Sequence, residues 1–172
     1  MAQVVRPLTS YKTFNIYKGV AEVTSYGPGV PWTVSFKYGP IKVPSGTQII
    51  SANLKYSVQP DNLPVSSGFV VNVNGVKVAE EEWDIFTGNN LRTKSVPVNL
   101  SPGDNYIELT WSIVTFFPGW TTRFDTTVTL DVEYSGESPS TQTEEWVKYI
   151  TYGFVIVGAV AVIAAIAKFR RR

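Results

Sequence analysis

The chain has 172 residues, a formal net charge of +1, and neither cysteine nor histidine. That composition excludes disulfides, thiolate nucleophiles, imidazole bases and the usual Cys/His zinc sites, and no catalytic residue, metal or cofactor is expected. The basic surplus lies in the C-terminal tail, so the large N-terminal part has no nucleic-acid-binding charge.

The first residues, MAQVVRPLTSYKTF, hold no apolar run of signal-peptide length, and no leader is expected. Strands are predicted over 13–17, 20–25, 32–38, 49–58, 69–73, 76–79, 94–100, 106–115 and 126–134. The last two are clearest. Ile107, Leu109, Trp111 and Ile113 share one face against Tyr106, Glu108, Thr110 and Ser112. Val128, Leu130, Val132 and Tyr134 oppose Thr127, Thr129, Asp131 and Glu133. Turn residues separate these runs, and Asn74-Gly75 predicts a type I′ hairpin because both central positions need positive φ. Roughly eight to ten strands without an amphipathic helix define an all-β sandwich over 1–134, with a jelly roll as the first topology and an immunoglobulin-like sandwich as the alternative.

Three places in this domain invite a functional reading. The acidic run Glu80-Glu81-Glu82-Trp83-Asp84 reads as a solvated loop above a packed Trp83, with calcium held by carboxylate oxygens as the sharper option. Phe116, Phe117 and Trp120 crowd a turn made by Pro118-Gly119. With Trp83 they are the candidate contact residues, for a neighbouring subunit, a sugar or lipid; the plainer option folds them over the open end of the sandwich. Asn99-Leu100-Ser101 is the sole glycosylation sequon, with Pro102 directly behind it.

Beyond the domain, 135–145 reads SGESPSTQTEE, a polar stalk expected to be flexible or extended. Residues 146–172 carry a transmembrane helix and basic tail. From Tyr149 to Ala167 there is no charge, and a helix of that length spans about 28 Å, close to the hydrocarbon thickness of a bilayer. Trp146, Tyr149 and Tyr152 are placed for one headgroup layer, and Lys168, Arg170, Arg171 and Arg172 close the other end. Gly153 and Gly158, with Ala161 and Ala165, are small, but no Gly-x-x-x-Gly pair occurs, so a lipid-facing anchor is favoured over a helix-pairing one. Glu144 and Glu145 before the run and the cationic end after it put the tail on the cytoplasmic side. A domain on the far side without a leader is a conflict, which a particle assembled inside the cell around an internal membrane removes.

The order of sandwich strands through Tyr134, polar stalk, apolar run from Tyr149 and basic tail to Arg172 resembles, in plan, membrane-associated capsid and vertex proteins of icosahedral viruses with an internal membrane, including those infecting archaea. The resemblance implies a structural virion protein, an oligomer whose partners are the lipid bilayer and other capsid or surface-layer subunits. The alternative is a membrane-anchored cell-surface module, carbohydrate-binding or adhesive. Val73-Asn74-Gly75-Val76 and the run from Leu100 to Leu109 look like hairpins of sugar-binding jelly-roll modules.

Overall fold

Alternation of apolar and polar side chains dictates extended backbone, and the computed structural model, which describes residues 8–141 and the backbone of 147–152, consists of strands without a helix. They are β1 (Ser10–Thr24), β2 (Pro31–Val43), β3 (Gln48–Pro60), β4 (Ser66–Val73), β5 (Val76–Asp84), β6 (Arg92–Pro97), β7 (Gly103–Val114), β8 (Thr121–Ser135), β9 (Ser140–Thr141) and β10 (Val147–Tyr152). One sheet runs β1-β8-β3-β6 and the other β10-β2-β7-β4-β5, with β9 also on β2; every pairing is antiparallel. The chain is a β-sandwich, as its patterning predicts.

The inner faces interdigitate around the aromatic residues. Trp111 lies with its ring 5.0 Å from Tyr17 and 5.7 Å from Phe69, and Trp83 lies 6.3 Å from Phe124. Leu54, Leu130, Ile107, Leu109 and Val128 are fully buried between the sheets. Asn74 (φ 53°) and Gly75 (φ 79°) form the β4–β5 hairpin with the positive φ values expected.

Four elements depart from the sequence reading. The runs 13–17 and 20–25 are one strand, β1, because a register shift between Asn15 and Tyr17 keeps Gly19 in the ladder opposite Thr126. Residues 80–84 continue β5 instead of forming a loop, since Glu81 and Trp83 alternate inward against β4. The start of the stalk is docked: Thr47 Oγ1 donates to the Glu137 carbonyl (2.6 Å), Lys12 Nζ to the Pro139 carbonyl (2.7 Å), and β9 pairs with Ile41 and Lys42. Tyr149 and Tyr152, expected in the first turns of a helix, lie in β10, which runs along β2 from Val147 opposite Lys37 to Tyr152 opposite Trp32. Without β10 the N–H and C=O groups on this side of β2 would stand as an open edge, and Val-Lys-Tyr-Ile-Thr-Tyr has the β-branched and aromatic content that pairs well there. Trp146, the rest of the expected stalk at 142–145, and 153–172 with Gly153, Gly158, Lys168, Arg170, Arg171 and Arg172 lie outside the described residues. Among the described residues no helix is long and apolar enough to cross a membrane.

The strand directions separate two ends. At one, the loops 25–30, 61–65, 85–91 and 115–120 meet, and β10 ends beside them because Tyr152 pairs with Trp32. At the other lie the turns 44–47, 74–75 and 98–102, the start of β1 and the end of β8.

Candidate functional site

Turn chemistry shapes the first end. Phe117 N–H donates to Thr115 Oγ1 (3.1 Å), Gly119 N–H to the Ser25 carbonyl (2.8 Å), and Ser25 Oγ to the Phe117 carbonyl (2.8 Å). The 115–120 loop is therefore tied to the 25–30 loop, and it presents Phe116 and Phe117 at 64 % and 66 % exposure. Trp120 takes the folded-back option: it is half-buried, with its Nε1–H donating to Asn62 Oδ1 at 3.0 Å. The two expectations for this loop thus divide by residue, the phenylalanines outward and the tryptophan inward.

Trp83 is removed from the contact candidates. It is 1 % exposed, with its Nε1–H donating to the Asn90 carbonyl (2.8 Å), so no partner reaches it in the folded domain. The acidic run is divided by the pleat: Glu81 points inward while Glu80 pairs with Lys77. Among the described residues no three acidic side chains converge in a way that could hold a metal ion. Asn99 is exposed in the 98–102 loop, at the end away from Phe116.

Four exposed apolar residues join the phenylalanines at this end: Tyr26, Ile85, Phe86 and Leu91. Phe86 is 90 % exposed at the tip of a turn in which Asp84 Oδ1 accepts from the Phe86 and Thr87 N–H groups at 2.8 and 2.7 Å. Those two N–H groups hold the Asp84 carboxyl below its ordinary range, Thr87 more than Phe86. Tyr26 packs edge-on to Trp32 at 5.3 Å. Their sequence signal is an apolar residue inside a turn context, Tyr26-Gly27-Pro28-Gly29 and Phe86-Thr87-Gly88, where no core-facing period explains it. Across 25–30, 61–65, 85–91 and 115–120 the one charged side chain is Asp61, whose Oδ1 accepts from Arg123 N–H at 2.9 Å.

A polar triad, with Tyr56 and Glu81 buried and Lys94 reaching in from the surface, fixes β5 to the opposite sheet. Glu81 Oε1 accepts from Tyr56 Oη (2.6 Å) and from Lys94 Nζ (2.6 Å). Burial, then the hydrogen bond to Glu81, then its negative charge raise the Tyr56 phenol well above its ordinary value of 10.0. The unfolded chain therefore loses that proton first. The contribution of Tyr56 is whole below pH 10 and falls as pH rises further, by about 1.4 kcal/mol per pH unit. Urea unfolding between pH 9 and 12 should show this loss, and Tyr56→Phe should flatten it. Tyr17, raised by burial in the same direction, leaves a residual slope. An alkaline slope identical in Tyr56→Phe would show that the triad does not couple to folding.

No protein-family model and no curated protein matches this chain. Among solved structures it is similar to dimeric latent PorU from Porphyromonas gingivalis, at 10 % identity and TM-score 0.38, the match covering 71 % of this chain and 13 % of that one. It is also similar to a PA14 sugar-binding domain from an RTX adhesin, at 14 % identity and TM-score 0.34, covering 81 % of this chain and 75 % of that one. At these values neither likeness bears on function.

Proposed function

We propose that the sandwich is a jelly roll and that the chain is a structural component of a membrane-containing virion, joining the shell or vertex through the domain and the internal membrane through the apolar run after β10. The observation that carries this is the nested pairing β1 with β8, β2 with β7, β3 with β6 and β4 with β5. One long antiparallel ribbon rolled into two sheets produces that order, and jelly rolls of this kind build viral capsids and lectins. Attached to such a domain, a charge-free run reaching Ala167 and a tail with Lys168, Arg170, Arg171 and Arg172 supply the bilayer attachment and stop. Shell building requires self-association or packing against other subunits.

The second reading, a membrane-anchored surface binding module, is favoured by the exposed Phe116 and Phe117, since aromatic rings held outward on a loop suit contact with a sugar or a protein partner. Quantitative mass spectrometry across a density gradient of a producing culture separates the two. Co-sedimentation with particles in fixed ratio to a major shell protein supports the virion role. Recovery in cell envelopes alone overturns it in favour of the surface module.

A further inference from the structure

We infer that the end of the sandwich carrying Tyr26, Phe86, Phe116 and Phe117 lies against the lipid bilayer, its loop tips set into the headgroup layer. This rests on reading the apolar run after β10 as a membrane span. Three observations lead there.

The first is direction. β10 pairs with β2 so that Val147 opposes Lys37 and Tyr152 opposes Trp32, and the chain leaves the sheet at the aromatic end, not at the end of the 44–47 and 74–75 turns. The next residue, Gly153, continues the charge-free run that starts at Tyr149. No spacer separates sheet and run.

The second is length. With Tyr149 to Tyr152 held in β10, the uncharged residues left are 153–167. A helix of fifteen residues would extend about 22 Å, short of a hydrocarbon layer of about 30 Å. A short span is accommodated by thinning the bilayer or by drawing its flanks inward, and the flank here is the rim of the sandwich.

The third is the chemistry of that rim. Tyr26, Ile85, Phe86, Leu91, Phe116 and Phe117 are all exposed there, on loops tied down by the Ser25 and Asp84 hydrogen bonds. Asp61 is the one charge in the four loops. The opposite turns, 44–47, 74–75 and 98–102, have no aromatic residue; the exposed apolar side chains at that end include Leu8, Val76 and Tyr11, and the Tyr11 hydroxyl is committed to Glu133 Oε1 at 2.8 Å. Aromatic side chains on loops without charge suit the interfacial layer, whereas an aqueous face of this composition would be unusual in a soluble domain. Neutral headgroups suffice for such a rim, so its insertion should change little with salt.

The absence of cysteine allows a direct test. Three full-length chains, Phe116→Cys, Phe86→Cys and Ser45→Cys, are labelled with an environment-sensitive fluorophore and reconstituted into phosphatidylcholine vesicles. Flotation with the vesicles reads the anchoring itself. The labels at 116 and 86 are expected to shift to the blue and to lose intensity when headgroup-proximal spin-labelled lipid is included, in low and high salt alike. The label at 45 should behave as in water. Two loops are probed so that misfolding of one variant does not decide the result. Floating chains whose labels at 116 and 86 stay water-exposed would overturn the end-on placement and leave the anchor intact. Shielding of all three labels would overturn it in favour of a domain lying on its side. Failure to float would remove the membrane reading and this inference with it.

Discussion

Asn105→Asp is expected to destabilise the sandwich by about 3–5 kcal/mol at neutral pH, although the two side chains have nearly the same shape. Asn105 is fully buried at the start of β7. Its Nδ2 donates to the carbonyls of Ser101 (2.8 Å), Gly103 (3.1 Å) and Ile41 (3.3 Å), while its Oδ1 accepts from Ser101 N–H and from Asn74 Nδ2, both at 2.9 Å. One amide thus joins the 98–102 loop, β2 and the β4–β5 hairpin. A carboxylate has no donor, so it would turn a negative oxygen toward three carbonyl oxygens at a fully buried position. Its folded pKa would be raised above the unfolded aspartate value of about 4, so the charge penalty should be absent below that pH and grow as pH rises through it. Urea unfolding of wild type and variant at pH 4 and pH 7 measures this. A difference independent of pH would show that the carboxylate reaches solvent.

This network illustrates what the sequence makes legible. The two-residue period around Trp111 and Leu130 announces β7 and β8, because a half-buried strand leaves that pattern and nothing else does so as simply. Asn74-Gly75 announces its hairpin for the same reason of local necessity. Asn105 carries no such mark: its role depends on carbonyls from Ile41 and Ser101, which only the rolled topology brings together. The acidic residues 80–84 read as a loop by charge, yet alternation places Glu81 and Trp83 inside, where Tyr56 and Lys94 from the other sheet satisfy the carboxylate. The polar composition of 135–141 is silent about docking, which runs largely through backbone carbonyls of Glu137 and Pro139. The residues Tyr149 to Tyr152 belong to an uninterrupted apolar run, and periodicity within such a run does not separate helix from strand; the open edge of β2 decides it. For the contact rim, Phe116 and Phe117 were readable from crowding at a turn. Tyr26 and Phe86 become members of the same surface only when β1–β2 and β5–β6 loops are seen to share an end.

Trp111→Ala should have the largest effect of a single truncation in the core, a loss of about 3–5 kcal/mol. The indole is 1 % exposed on the central strand β7 and is flanked by Tyr17 of β1 and Phe69 of β4, so it touches both sheets. Its Nε1–H also donates to Thr126 Oγ1 on β8 at 3.1 Å, and that hydroxyl donates on to the Phe124 carbonyl (3.3 Å). Truncation removes the transfer energy of the ring and opens a cavity whose walls are strands held by ladder hydrogen bonds, so collapse is limited. Trp111→Phe separates the terms: most of the ring packing stays, and the lost hydrogen bond to a buried hydroxyl should cost about 1–2 kcal/mol. Because domains are stable by only about 5–15 kcal/mol, the alanine variant is expected to unfold at much lower urea concentration with an unchanged denaturant slope. A loss below about 1 kcal/mol would mean that β1 and β4 close over the gap, and that the sheets slide on one another more freely than their side-chain interdigitation allows.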